Sequence, residues 1–262
     1  LLALLLALGL VAAACGDDSD DSSSSSSTTT TEAAAKVTGD ITVSAAASLK
    51  EAFTTIAADF EAANPGTTVT INFGSSGELA TQIQSGAPAD VAAFASESDM
   101  TTLSDAGVVD GAPQVFATNE LAIVTKPGNP KGVRSLADLD SAGIVSLCAE
   151  TAPCGKYADQ ALSAAGVSIP PDQVTRGQDV RSTLTAVTQG DAVAGIIYVT
   201  DAAAAGAEAT SVPIPADQNV VARYPIGVVT ATTNPAAARA FADFVLGPQA
   251  RDVLEAAGFG AP

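Results

Sequence analysis

The stretch FGSSGELATQIQSGAPADV, residues 73–91, contains one complete strand–helix–strand unit. A segment at 69–73 ends in Gly74-Ser75-Ser76-Gly77, and Leu79 and Ile83 then recur at helical spacing. The Gly-Ala-Pro-Ala-Asp turn leads into the uninterrupted apolar run at 91–95, the pattern of a strand buried on both faces of a parallel sheet. Small residues opening a helix leave backbone N–H groups without intrahelical acceptors at the positive end of the helix dipole. With two serine hydroxyls beside them, this turn suits an anion.

The same alternation extends both ways. A strand at 41–46 precedes a helix carrying Leu49, Phe53, Ile56 and Phe60, stopped before Asn64-Pro65-Gly66. Residues 100–106 read as helix, and 121–126 as a strand stopped by Pro127. A second series follows, with strands at 144–147, 174 and 194–199 and helices at 157–165 and 180–188. A strand at 224–230 and helices at 236–246 and 249–257 close the chain. This order predicts an α/β protein of two parallel-sheet lobes joined by two crossing segments. Lobe one is expected to take 39–120 and 230–262, and lobe two 121–229 with the hinge segments. A hinged pair of lobes with a cleft is suited to trapping a ligand.

The beginning of the chain reads differently. Residues 1–14, LLALLLALGLVAAA, have the character of the apolar core of a secretory signal, and with no Met or basic stretch ahead of them the sequence is expected to start inside it. Cys15, after three alanines and before Gly16 and an acidic run, resembles a bacterial lipobox cysteine; the alternative is an ordinary signal with a free thiol. Residues 15–38 carry Ser, Thr and acidic residues with little apolar content, and are expected to form a disordered tether behind the lipidated Cys15. An extracytoplasmic protein anchored to the cell membrane is the expectation. The net charge of −18 argues against nucleic acid as a partner. The chain has no histidine, which excludes Ser-His-Asp and Cys-His catalysis and His-ligated metals. Cys148 and Cys154 read as a disulfide in an exported protein, with two free buried thiols as the alternative.

In open α/β sheets ligands sit beyond the carboxyl ends of strands, where helices begin. Ser48 with Glu51 matches a capping box, a role compatible with donating its hydroxyl proton to a ligand. Ser75 with Glu78 matches another, which assigns capping to Ser75 and leaves Ser76 as the anion ligand. Gly74 and Gly77 serve backbone geometry or close ligand approach. Pro153 suits a first helical position and places the Cys154 N–H among the free donors. A Cys148–Cys154 bridge would stiffen that turn. Asp179 suits an N-cap, exposing the Val180 N–H; Arg181 is either an anion ligand or a surface or Asp179-paired charge. Tyr198 ends a buried strand, as a ligand or as a core residue with its hydroxyl at the rim.

ITVSAAASL (41–49), SSGELATQIQSGAPADV (75–91), APCGKYA (152–158), QDVRSTLTAV (178–187), GIIYVTDA (195–202) and YPIGVV (224–229) together resemble the periplasmic molybdate-binding proteins of bacterial ABC importers. The resemblance runs over nearly all of 40–262. It implies a two-lobe periplasmic-binding fold of type II, and a tetrahedral oxyanion held between the lobes by hydroxyls and N–H groups without a counter-ion. Carried over position by position, the implied ligands are the serines Ser48 and Ser76, the backbone N–H groups of Cys154 and Val180, and the Tyr198 hydroxyl. Gly77 departs from the pattern, standing where some relatives carry a further serine. The implied function is capture of molybdate and delivery to a membrane ABC permease, with tungstate or sulfate as the alternative ligand. No enzymatic activity, cofactor or direct metal coordination is implied, and a monomer is expected. A secreted hydrolase built on Ser48 or Ser76 lacks a visible base other than Lys50. A surface adhesion lipoprotein would leave four convergent helix starts unexplained.

Overall fold

The computed structural model describes residues 37–262. The expected signal at 1–14, Cys15 and the tether as far as residue 36 lie outside the described residues.

The first lobe is built on β1 (Gly39–Ala46), β2 (Thr67–Gly74), β3 (Val91–Ala93), β4 (Val109–Asn119) and β10 (Ala222–Val229), in the order β2-β1-β3-β10-β4. The second is built on β5 (Leu121–Thr125), β6 (Val145–Cys148), β7 (Val174–Gly177), β8 (Ala194–Tyr198) and β9 (Thr210–Pro213), in the order β7-β6-β8-β5-β9. Helices α1 (Lys50–Ala63), α2 (Ser76–Gln84), α3 (Glu97–Asp105), α7 (Pro235–Leu246) and α8 (Pro248–Ala256) pack on the first sheet. Helices α4 (Pro153–Ala164), α5 (Val180–Thr188) and α6 (Val199–Ala205) pack on the second. Among the described residues no helix is long and apolar enough to cross a membrane.

Helical spacing does in α1 what the pattern requires: Ala52, Phe53, Ile56, Ala57 and Phe60 are buried, and Pro65, which has no N–H to donate, follows its C-cap Asn64. All eight phenylalanines of the sequence fall in the first lobe. Phe60 meets Phe241 and Phe244 edge-on with ring centroids 5.3 and 5.5 Å apart, the arrangement aromatic quadrupoles favour, and Phe53 meets Phe116 in a tilted pair at 5.6 Å. The second lobe packs aliphatic side chains instead, Ile123, Leu147, Ile196 and Val187 among them.

The sheets are mixed rather than wholly parallel. β1 runs parallel to β2 and β3, and β6 parallel to β7 and β8, but β10 is antiparallel to β3 and β4, and β5 antiparallel to β8 and β9. An apolar strand reads the same whichever way it runs, so its pattern carries no direction. The strand at 222–229, expected with lobe two and its hinges, is an interior strand of the first sheet, with Ile226 opposite Ala93. Burial along most of its length requires a neighbour on each side. The chain therefore crosses at Glu120 and again between β9 and β10. Two strands escape the sequence pattern, β4 and β9. β4 carries Gly111 and Pro113 inside an edge strand, where a proline costs no ladder bond to the solvent side.

Candidate oxyanion site between the lobes

The carboxyl ends of β1, β2, β6, β7 and β8 converge on one cavity, and Ser48, Ser76, Cys154, Val180 and Tyr198 all line it. About 20 Å³ of it is open to the centres of water-sized atoms; one water needs roughly 10–15 Å³ of such space, so the cavity suits a compact ligand of few atoms. Among the described residues no lysine or arginine lines it.

Each position arises from its local structure. Ser48 lies in a 3₁₀ turn ahead of α1 and caps nothing; its Oγ is 2.9 Å from the Tyr224 hydroxyl. Glu51 reaches across to the other lobe instead of closing a capping box. Ser75 is the N-cap of α2 by backbone, its carbonyl accepting from the Leu79 N–H at 2.9 Å, but its hydroxyl makes no capping bond. That Oγ is buried, lines the cavity and has no hydrogen-bond partner, which overturns the capping role expected for it. Ser76 Oγ accepts the Ala95 N–H at 3.0 Å, so its own proton remains to be donated.

In the second lobe Pro153 occupies the first turn of α4, and Cys154 follows it where N–H groups lack intrahelical acceptors. Cys148 and Cys154 form a disulfide with Cα atoms 5.7 Å apart. A Cβ at Gly155 would lie 2.1 Å from the Ala149 carbonyl oxygen, so only glycine fits behind the bridge. Asp179, the carboxylate at the cavity wall, caps α5 in a capping box, its Oδ1 accepting from Ser182 N at 2.9 Å. Val180, the first residue of α5, keeps a free N–H. The Tyr198 hydroxyl is buried without a partner, and burial holds its pKa well above the ordinary phenol value, so it stays a donor. Arg181 is not at the cavity; it is engaged in ion pairs.

Residues 41–260 match the family described as bacterial extracellular solute-binding protein. The chain belongs to that family. It is 41% identical over 223 residues to the molybdate-binding protein ModA of Mycobacterium tuberculosis, covering 85% of each chain. It is 31% identical to the putative ABC transporter substrate-binding lipoprotein YvgL of Bacillus subtilis, over 86% of this chain and 87% of the other. Its fold is that of the Azotobacter vinelandii periplasmic molybdate-binding protein, with a TM-score of 0.73 at 23% identity over 85% of this chain and 99% of that one.

Solute-binding proteins work by opening and closing, so contacts across the cleft matter. Arg181 Nη2 of α5 bonds Glu51 Oε1 of α1 at 2.6 Å, and its Nη1 lies 3.4 Å from the buried Asp201. On the other side Lys156 Nζ of α4 meets Asp99 Oδ1 of α3 at 2.8 Å. A Cβ at Gly77 would lie 2.5 Å from the Thr151 carbonyl oxygen of the second lobe. The glycine therefore lets this solute-binding protein close more tightly than a serine there would.

Burial raises the Asp201 carboxyl to about 7, an effect that the nearby Arg181 charge only partly offsets. The folded chain thus holds a proton that the unfolded chain releases, and this contribution to stability is full below the ordinary carboxyl pKa and is lost as pH rises through about 7. Comparing wild type with Asp201→Asn by urea unfolding at pH about 4.5 and about 8 is expected to show wild type losing ground to the variant at the higher pH. A difference independent of pH contradicts this. The disulfide supplies another prediction: a Cys148→Ala/Cys154→Ala variant is expected to lose ~2 kcal/mol of stability through the short loop it no longer closes. The Cys154 main-chain donor survives that change, so affinity should fall much less than stability; loss of all binding with little loss of stability would contradict the assignment.

Proposed function

We propose that this solute-binding protein captures molybdate between its lobes and delivers it to a membrane ABC permease. The observation that carries this reading is the meeting of Ser48, Ser76, Cys154, Val180 and Tyr198, drawn from five separate turns, at one small cavity without a basic side chain. The groups proposed as ligands are hydrogen-bond donors: three hydroxyls, each free to offer its proton, and the main-chain N–H groups of Cys154 and Val180. Molybdate is fully deprotonated near neutral pH and matches a shell of donors. Hydrogen bonds to a charged group contribute ~1.5–3 kcal/mol each, so five to seven of them offset dianion desolvation in a closed cleft. Identity to the mycobacterial protein named for molybdate binding favours the same solute here.

Cys15 is the proposed lipid attachment point, behind a signal at 1–14 and ahead of a tether reaching to residue 38; the Bacillus relative named as a lipoprotein supports that placement. Closing the lobes around the anion would create the face that docks on the permease, with the protein acting as a monomer. Equilibrium dialysis of the chain against molybdate tests the proposal. Retention of one molybdenum per chain is expected, and retention of none defeats it.

A further inference from the structure

Tyr224 and Asn119 lie outside the proposed ligand shell, yet they are wired to it. Asn119 Oδ1 accepts the Glu120 N–H at 2.9 Å, which fixes the side-chain amide with its Nδ2 on the far side. Nδ2 then donates to Thr200 Oγ1 at 2.9 Å and to the Tyr224 hydroxyl at 3.3 Å. The Tyr224 oxygen therefore accepts from Asn119, and an –NH₂ group cannot accept in return. The other partner of that hydroxyl is Ser48 Oγ at 2.9 Å, and donation of the phenol proton to Ser48 is the arrangement that leaves that buried proton paired. Burial pushes the Tyr224 pKa far up, so this proton is not lost. Ser48, with its oxygen already accepting, has its own proton left for the cavity it lines.

We infer that Asn119 and Tyr224 are specificity-determining positioning residues, which fix the Ser48 hydroxyl as a donor and so select oxyanions that carry no proton. The inference rests on the oxyanion reading and deepens it. The chain of donation has one direction, from the backbone at the crossing segment through Asn119, Tyr224 and Ser48 to the ligand, each bond polarising the next. The Ala95 N–H imposes the same polarity on Ser76. A protonated oxyanion needs at least one acceptor, and with one Ser48 lone pair taken by the Tyr224 proton this wiring favours Ser48 as a donor toward the ligand. Mispairing of that kind is what gives a polar site its discrimination.

The test measures molybdate binding to the full chain by calorimetry, and its displacement by inorganic phosphate, which carries a proton near neutral pH. Tyr224→Phe keeps the ring that packs on Phe116, Tyr198 and Phe259 and removes only the hydroxyl. Molybdate affinity is expected to fall about tenfold and phosphate affinity much less. Asn119→Asp goes further. Its carboxylate accepts the Tyr224 proton, Tyr224 then accepts from Ser48, and Ser48 presents a lone pair to the cavity. The added charge weakens every anion alike, so the ratio of the two affinities is the readout, and it is expected to drop at least tenfold toward phosphate. An unchanged ratio in both variants, or phosphate still failing to displace molybdate from either, overturns the inference alone. A wild-type chain that binds no tetrahedral oxyanion overturns the oxyanion reading and takes this inference with it.

Discussion

Ser76→Ala is expected to weaken molybdate binding by ~10-fold or more and to lower the stability of the ligand-free chain by ~1–3 kcal/mol. Both effects come from one oxygen. Ser76 is buried at the start of α2 and lines the cavity, and its Oγ accepts the Ala95 N–H, which leaves its proton to donate. Alanine removes the donor to the anion and also leaves a buried N–H without an acceptor. Ser75→Ala should behave differently. The Ser75 hydroxyl caps nothing and has no partner, so its removal is expected to change stability by no more than about 0.5 kcal/mol. Titration calorimetry and urea unfolding of both variants separate the two serines. A greater loss of stability in Ser75→Ala than in Ser76→Ala would contradict the hydrogen bonding described.

Tyr198→Phe is expected to cost a comparable ~10-fold or more in affinity with no loss of stability. The Tyr198 hydroxyl is buried at the end of β8 with no protein partner, and its ring lies 6.0 Å from that of Tyr224. Phenylalanine preserves that aromatic contact and removes an oxygen that contributes nothing to the ligand-free fold. Matched thermal unfolding and binding isotherms check this. If the variant binds as tightly as wild type, Tyr198 is only a core residue.

The sequence carried the two-lobe α/β plan and the five converging positions because both depend on local rules. Strands and helices announce themselves by period, and free N–H groups occur wherever a helix begins, as at Pro153-Cys154 and Asp179-Val180. Strand direction was not legible, since the apolar run at 222–229 has the same composition running either way. The role of Ser75 is not legible in the sequence for a related reason. The spacing Ser-x-x-Glu fits a capping box, but the rotamer that would close it is chosen by the packing of the turn and not by the spacing. Sequence alone leaves Arg181 between ligand and ion pair, and only the approach of Glu51 from the other lobe decides it. Asn119 and Tyr224 carry no helix-start signal, because they sit within strands. A tyrosine inside the otherwise apolar YPIGVV was the available signal, since a buried hydroxyl needs a partner.

Ligand-dependent stabilisation of the full chain, followed by calorimetry with molybdate, tungstate, sulfate and phosphate in turn, tests the central claim most directly. A ligand that binds only the folded state adds about 2.7 kcal/mol of stability at a hundredfold excess over its Kd. Saturable one-to-one stabilisation by molybdate, shared by the similarly sized tungstate, is expected. Stabilisation by phosphate alone, or by none of the four, would contradict it.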